Sequence, residues 1–145
     1  MICLALGSNL GDRAWNIEQA KALLAEALKT DMLCSQILET EALGFDGPAF
    51  LNQLVCFESE IGAEALLDLC QNIEEQLGRP RHEATYDVTG RRIYSDRSID
   101  IDILIYNDLE IHSDRLDIPH RQIWERPYVK KLLEEMPCQP QPIIN

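Results

Sequence analysis

The chain has no apolar run approaching the roughly 20 residues that a membrane-spanning helix needs. Its apolar start, Ile2 to Leu6, has no basic flank of the kind that opens a signal peptide. It also lacks a Cys-x-x-Cys pair or a Cys/His cluster: Cys3, Cys34, Cys56, Cys70 and Cys138 are odd in number and scattered. That pattern argues against a disulfide framework and fits buried free thiols in a cytoplasmic protein. Positive charge is scarce, with 13 Lys+Arg against 25 Asp+Glu and a net charge of −12, which argues against a general nucleic-acid binder. No repeat or linker divides the 145 residues, so one domain over 1–145 is expected.

What positive charge there is lies in one place. Residues 1–78 hold 3 basic and 13 acidic residues, and residues 79–145 hold 10 and 12. Eight of those ten are arginines: Arg79, Arg81, Arg91, Arg92, Arg97, Arg115, Arg121 and Arg126, with no lysine between the first and the last. Preference for the planar guanidinium fork points to bidentate phosphate recognition. An acidic protein with a local arginine nest suits a small polyphosphate better than a duplex.

The stretch Ile99 to Tyr106 alternates: Ile99, Ile101, Ile103 and Ile105 on one face, Asp100, Asp102, Leu104 and Tyr106 on the other. That is a strand with one face in a core. Its other face carries two carboxylates about 6.5 Å apart, at roughly 3.3 Å rise per residue. Neighbouring acids repel, so the pair calls for a cation, and an all-oxygen ligand set suits Mg²⁺ beside a phosphate.

In chain order, Ile2–Gly7 reads as a strand, followed by turn residues with Asp12 as a helix N-cap. Residues 13–29 read as a helix whose inner face holds Trp15, Ala20, Leu23, Leu24, Ala27 and Leu28. Residues 32–39 and 50–58 read as strands joined by a 40–48 loop. Residues 63–77 read as a helix with Leu66, Leu67, Leu69, Cys70 and Ile73 inward and Gly78 at C′. Residues 79–96 form a polar loop long enough to be functional. After the Asp-bearing strand come a short edge strand near 109–111, an extended approach to His120, a helix over 120–136 that Pro127 kinks or breaks, and a Pro-rich tail. The order β-α-β-β-α-β implies an α+β, ferredoxin-like fold: an antiparallel sheet with helices on one face, plus a C-terminal helical extension.

Three separated blocks, Ala5-Leu6-Gly7-Ser8-Asn9-Leu10-Gly11-Asp12, Arg97 to Leu104, and Ile118-Pro119-His120 with Arg126, resemble the 6-hydroxymethyl-7,8-dihydropterin pyrophosphokinases of folate synthesis. Phe50-Leu51-Asn52 and Gly78-Arg79-Pro80-Arg81 match as well. The resemblance implies an enzyme that moves the β,γ-pyrophosphoryl group of ATP to the pterin hydroxymethyl oxygen and releases AMP. It implies Asp100 and Asp102 as ligands of two Mg²⁺ ions, and Arg79 and Arg97 as catalytic clamps on the phosphates. It places Gln71, Glu74, Arg81, Ile103, Arg115, His120, Arg121 and Arg126 at the ATP. Asn52 would hydrogen-bond the pterin edge, Phe50 and Tyr128 would stack on its ring, and Thr40, Leu43 and Gly44 would line the same pocket. ATP and a reduced pterin are the implied partners, with no nucleic acid or membrane, and a monomer is expected. The sequence departs from the family's pattern at Glu41, at Ser95-Asp96 and at Arg121.

Other residues have plainer readings. Gly7 and Asn9 read as turn formers, His82 and His112 as solvated, and Trp15 and Trp124 as packing residues. Arg115 and Arg121 are divided between ATP contact and ion pairs with Asp114 or Glu125. Without the resemblance, a non-catalytic nucleotide- or metabolite-binding module and a Mg²⁺-dependent nucleotidyl transferase are also compatible with the Asp-x-Asp strand.

Overall fold

The structure, a computed structural model, describes residues 1–41, 47–78, 98–120, 123 and 125–136. Its elements are β1 (Ile2–Ser8), α1 (Arg13–Leu28), β2 (Leu33–Cys34), β3 (Leu38–Thr40), β4 (Phe50–Phe57), α2 (Ala63–Gln76), β5 (Asp100–Tyr106), β6 (Ile111–His112), β7 (Asp117–Ile118) and α3 (Pro127–Leu133). β1 lies between β4 and β5 and pairs antiparallel with both, while β2 and β3 each pair antiparallel with the outer side of β4. An antiparallel sheet with helices packed on it makes an α+β fold.

Both faces of the sheet are covered, which is why β1 is an unbroken buried run rather than an alternating one. On one face Leu4, Leu6, Val55 and Ile101 pack against Ile17 and Leu24 of α1 and Leu66 and Ile73 of α2. On the other, Cys3, Ala5, Leu54 and Leu104 meet Val129, Leu132 and Leu133 of α3.

The alternation expected of the Asp-bearing strand breaks at Leu104. Cys3 pairs with Ile105 but Leu4 with Ile103, leaving Leu104 as the extra residue of a β-bulge. Ile105 therefore joins Leu104 on the α3 side, and Tyr106 returns to the opposite core, where its hydroxyl donates to the Ile61 carbonyl. The isoleucine face holds for Ile99, Ile101 and Ile103 and fails for Ile105.

The strand expected over 32–39 is two short pieces. At the break the Ser35 hydroxyl accepts the Leu54 N–H at 2.9 Å, and the Gln53 side chain donates to the Ser35 carbonyl at 2.7 Å. A side-chain oxygen takes a ladder donor there, so the pairing is interrupted. β2 is an outer strand, and Cys34 is exposed rather than buried. In α1 the buried residues are Asn16, Ile17, Ala20 and Leu24, while Trp15 is 53% exposed and Ala27 is also exposed. An alanine-rich helix marks its inner face weakly, and Asn16 is buried because it donates to Leu10 O at 2.9 Å and Ser8 Oγ at 3.3 Å. The last helix begins at Pro127 instead of His120, with Arg126 as N-cap, a first-turn position that suits a residue lacking an N–H. The short edge strand is Ile111–His112 rather than 109–111, and it pairs with β7 outside the main sheet.

Candidate active site

Asp100 and Asp102 sit on alternate positions of β5 ahead of the bulge, so they share the α3 side of the sheet. Asp102 lies beside Ala5 in the register, and its Oδ2 is 3.3 Å from Arg126 Nη1. The same nitrogen donates to the Tyr128 hydroxyl at 3.1 Å. Burial pushes the Asp102 carboxyl above its usual range, the Asp100 carboxylate pushes it the same way, and Arg126 and His120 oppose both. His120 is held near by its backbone, whose N–H donates to Leu104 O at 2.9 Å on the outer side of β5.

The other end of this face is built by one row across the sheet: Leu38, Asn52, Gly7 and Asp100 are successive register partners. Asn52 is buried, and its Nδ2 donates to Thr40 Oγ1 at 2.8 Å and to Leu38 O at 3.2 Å. Those two acceptors fix which end of the amide is nitrogen and turn Oδ1 toward Gly7. Phe50, paired with Thr40, is half-buried two residues along the same face. The structure thus brings Thr40, Phe50 and Asn52 together, and separately Asp100, Asp102, His120, Arg126 and Tyr128, with Gly7 between the two groups.

Other expected site residues are placed differently. Glu74 is buried on α2, and its Oε2 accepts the Ile101 N–H at 3.0 Å, so it supports the outer edge of β5. Gln71 is half-buried on the same helix. The Ile103 side chain lies in the α1–α2 core, opposite the acid pair, which leaves its backbone for any ligand. Arg115 pairs with α2 carboxylates, Glu64 at 2.7 Å and Asp68 at 2.6 Å, not with Asp114 or Glu125. Leu43, Gly44, Arg79, Arg81, Arg91, Arg92, Arg97, Arg121, His82 and Trp124 lie outside the described residues.

Arg13, which the sequence did not single out, lies beside the Thr40–Phe50–Asn52 group. Its Nη1 is 2.9 Å from both Ala49 O and Glu39 Oε2, tying the start of β4 to β3 beside Thr40 and Phe50. The available signal is a cation in the first turn of a helix, where the dipole disfavours it. Asn9 works alongside, donating to Pro48 O at 3.1 Å.

Chemically, two carboxylates on one strand, with Asp102 raised, fit a divalent cation held by carboxylate oxygens. Among the described residues no third His, Cys, Asp or Glu completes a metal cluster. A cation there would fill its sphere with water and phosphate oxygens, the usual habit of Mg²⁺. An α+β sheet that presents such an acid pair, an arginine and a histidine at one end has the make-up of a phosphate-handling protein.

Comparison with known proteins narrows that class. Residues 3–137 match the 7,8-dihydro-6-hydroxymethylpterin-pyrophosphokinase family, and the chain belongs to it. A 2-amino-4-hydroxy-6-hydroxymethyldihydropteridine pyrophosphokinase of Porphyromonas gingivalis is 36% identical over 94% of this chain and 90% of its own length. The protein of the same name from Bacillus subtilis is 38% identical over 94% of this chain and 77% of its own. In the mitochondrial folate synthesis bifunctional protein of Pisum sativum, 36% identical, the match covers 93% of this chain and 25% of the relative. Among the described residues no helix is long and apolar enough to cross a membrane.

Proposed function

We propose that the protein transfers pyrophosphate from ATP to 6-hydroxymethyl-7,8-dihydropterin, giving AMP and the pterin diphosphate for folate biosynthesis. The pterin hydroxymethyl oxygen forms a bond to the β-phosphorus and loses its proton. The bond from that phosphorus to the oxygen bridging the α- and β-phosphates breaks, and AMP leaves with that oxygen. The observation that carries this reading is the row Asn52–Gly7–Asp100, which links a buried amide to an acid pair, in a chain that matches the family from residue 3 to residue 137.

Transfers of this type need position and charge stabilisation more than covalent chemistry from the protein. Asn52, its nitrogen already engaged, offers Oδ1 to a donor on the pterin edge, and a buried acceptor rejects analogues that leave it unpaired. Phe50 offers a ring to stack against. Arg126 holds Asp102 and lies within reach of phosphate oxygens that come to the acid pair. Asp100 and Asp102 would hold the two Mg²⁺ ions, which supply charge neutralisation on the triphosphate when bound. In the sheet, β2 and β3 taken as one interrupted strand support a ferredoxin-like topology, β-α-β-β-α-β with α3 as the extension.

The test is Asp100→Ala. AMP release should fall to background while circular dichroism and the unfolding midpoint stay near those of the parent protein. A variant that releases AMP at the parental rate contradicts the assignment.

A further inference from the structure

Arg126 and Tyr128 are two residues apart, a spacing at which side chains of a helix do not face each other. They meet because Arg126 is not helical. It is the N-cap of α3, with an extended φ of −99° and ψ of 109°, and Pro127 then fixes the first helical position. That turn brings Arg126 Nη1 to 3.1 Å from the Tyr128 hydroxyl oxygen and to 3.3 Å from Asp102 Oδ2. The helix behind them is anchored. Val129, Leu132 and Leu133 are buried against the sheet, and the half-buried Tyr128 packs on the same cluster. The phenol is therefore a fixed post, whereas an arginine side chain loses much rotamer freedom when it is ordered.

The two contacts differ in kind. A guanidinium donating to a carboxylate closes to about 2.7–2.9 Å, often through both prongs of its fork. Here a single nitrogen faces Asp102, at 3.3 Å, and it lies nearer to the neutral phenol. Among the described residues Nε and Nη2 of Arg126 have no acceptor, which leaves that edge of the fork for another anion. Asp102 is also the side chain that a cation at the acid pair would claim. The phenol has no such second call on it.

Taking ATP as the nucleotide of the proposed reaction, on which this inference rests, we propose that the Tyr128 hydroxyl is a positioning group for Arg126. It stands the guanidinium off from Asp102 and holds the free edge of the fork where a triphosphate oxygen arrives. Ordering the arginine before the nucleotide comes removes that cost from binding. The ring and the hydroxyl of Tyr128 then have separate tasks, the ring toward the pterin and the hydroxyl toward the nucleotide.

The experiment compares the parent protein with Tyr128→Phe, Arg126→Met and the double variant. Equilibrium binding of ATP with Mg²⁺ is measured with no pterin present, alongside KM for 6-hydroxymethyl-7,8-dihydropterin and thermal unfolding. Tyr128→Phe should keep the parental unfolding midpoint and the parental pterin KM, because the ring remains. Its Kd for ATP should rise roughly 3–10-fold, the worth of one hydrogen bond. With Arg126→Met already in place, Tyr128→Phe should add nothing further. A parental Kd for ATP in Tyr128→Phe overturns the proposal. So does the same loss in the Arg126→Met background, since the hydroxyl would then act without Arg126, or a pterin KM that rises as much as the Kd, since the ring would then have moved. If the parent shows the expected binding pattern but makes no AMP from the pterin, the substrate assignment falls and the positioning role stands. If the parent binds no ATP, both fall.

Discussion

Asp102 holds two opposed demands in one side chain. Burial and the neighbouring Asp100 raise its carboxyl above the ordinary value of 3.8, against Arg126 and His120. A carboxyl raised in this way binds its proton more readily in the folded chain than in the unfolded one. Its contribution therefore favours the fold at low pH, and stability is lost as pH climbs from the unfolded value through the raised one. At neutral pH the ionised group is a standing cost. Asp102→Asn removes that charge and keeps an oxygen for Arg126, so it should raise the unfolding midpoint by about 2–4 °C at pH 7, equivalent to roughly 1 kcal/mol. The gain should shrink as the pH is lowered toward 4, and AMP release should be lost throughout. A lower midpoint at pH 7 would mean that the ion pair with Arg126 outweighs the burial. Stability sacrificed at a site that needs charge is a common trade in enzymes.

Among the elements, those set by local chemistry were the easiest to read. Asp12 caps α1, its Oδ1 accepting the Trp15 N–H at 3.0 Å, and Gly78 takes the positive φ of 107° expected after α2. Asp12→Ala should lower stability by about 1 kcal/mol in a denaturant titration, the usual worth of such a cap, with little effect on KM for either substrate. A loss indistinguishable from zero would mean that the end of α1 is held by Arg13 and Asn16 alone. What the sequence concealed depends on partners far along the chain. The bulge that turns Ile105 away from Ile103 exists only in the pairing with β1, and a pattern of period two has no mark for it. The break at Ser35 needs Leu54, nineteen residues away. Asn16 counts as polar in any periodicity, yet it is buried because Ser8 and Leu10 receive its amide. The acid pair was legible because Asp-x-Asp conflicts with strand preference.

At the scale of the whole molecule, one sheet carries two apolar cores, and the proposed site sits where the α3-side core gives way to polar residues along β1, β4 and β5. Cys3, Cys56 and Cys70 lie within those cores and Cys34 outside them, so their thiols report on the arrangement. Burial pushes the Cys70 thiol far up, with Glu74 and Asp102 adding to the effect. Peptide-resolved alkylation of the native protein should modify Cys34 quickly and Cys3, Cys56 and Cys70 only on unfolding; rapid native labelling of Cys56 would contradict the covered sheet. The central claim, that this sheet end joins a pterin to the phosphate tail of ATP, is tested most directly by following nucleotide products with Mg²⁺ present. AMP should form in equal amount with the pterin diphosphate, only when 6-hydroxymethyl-7,8-dihydropterin is supplied, and not with Asp102→Asn. Release of ADP, or of AMP at the same rate without the pterin, would contradict it.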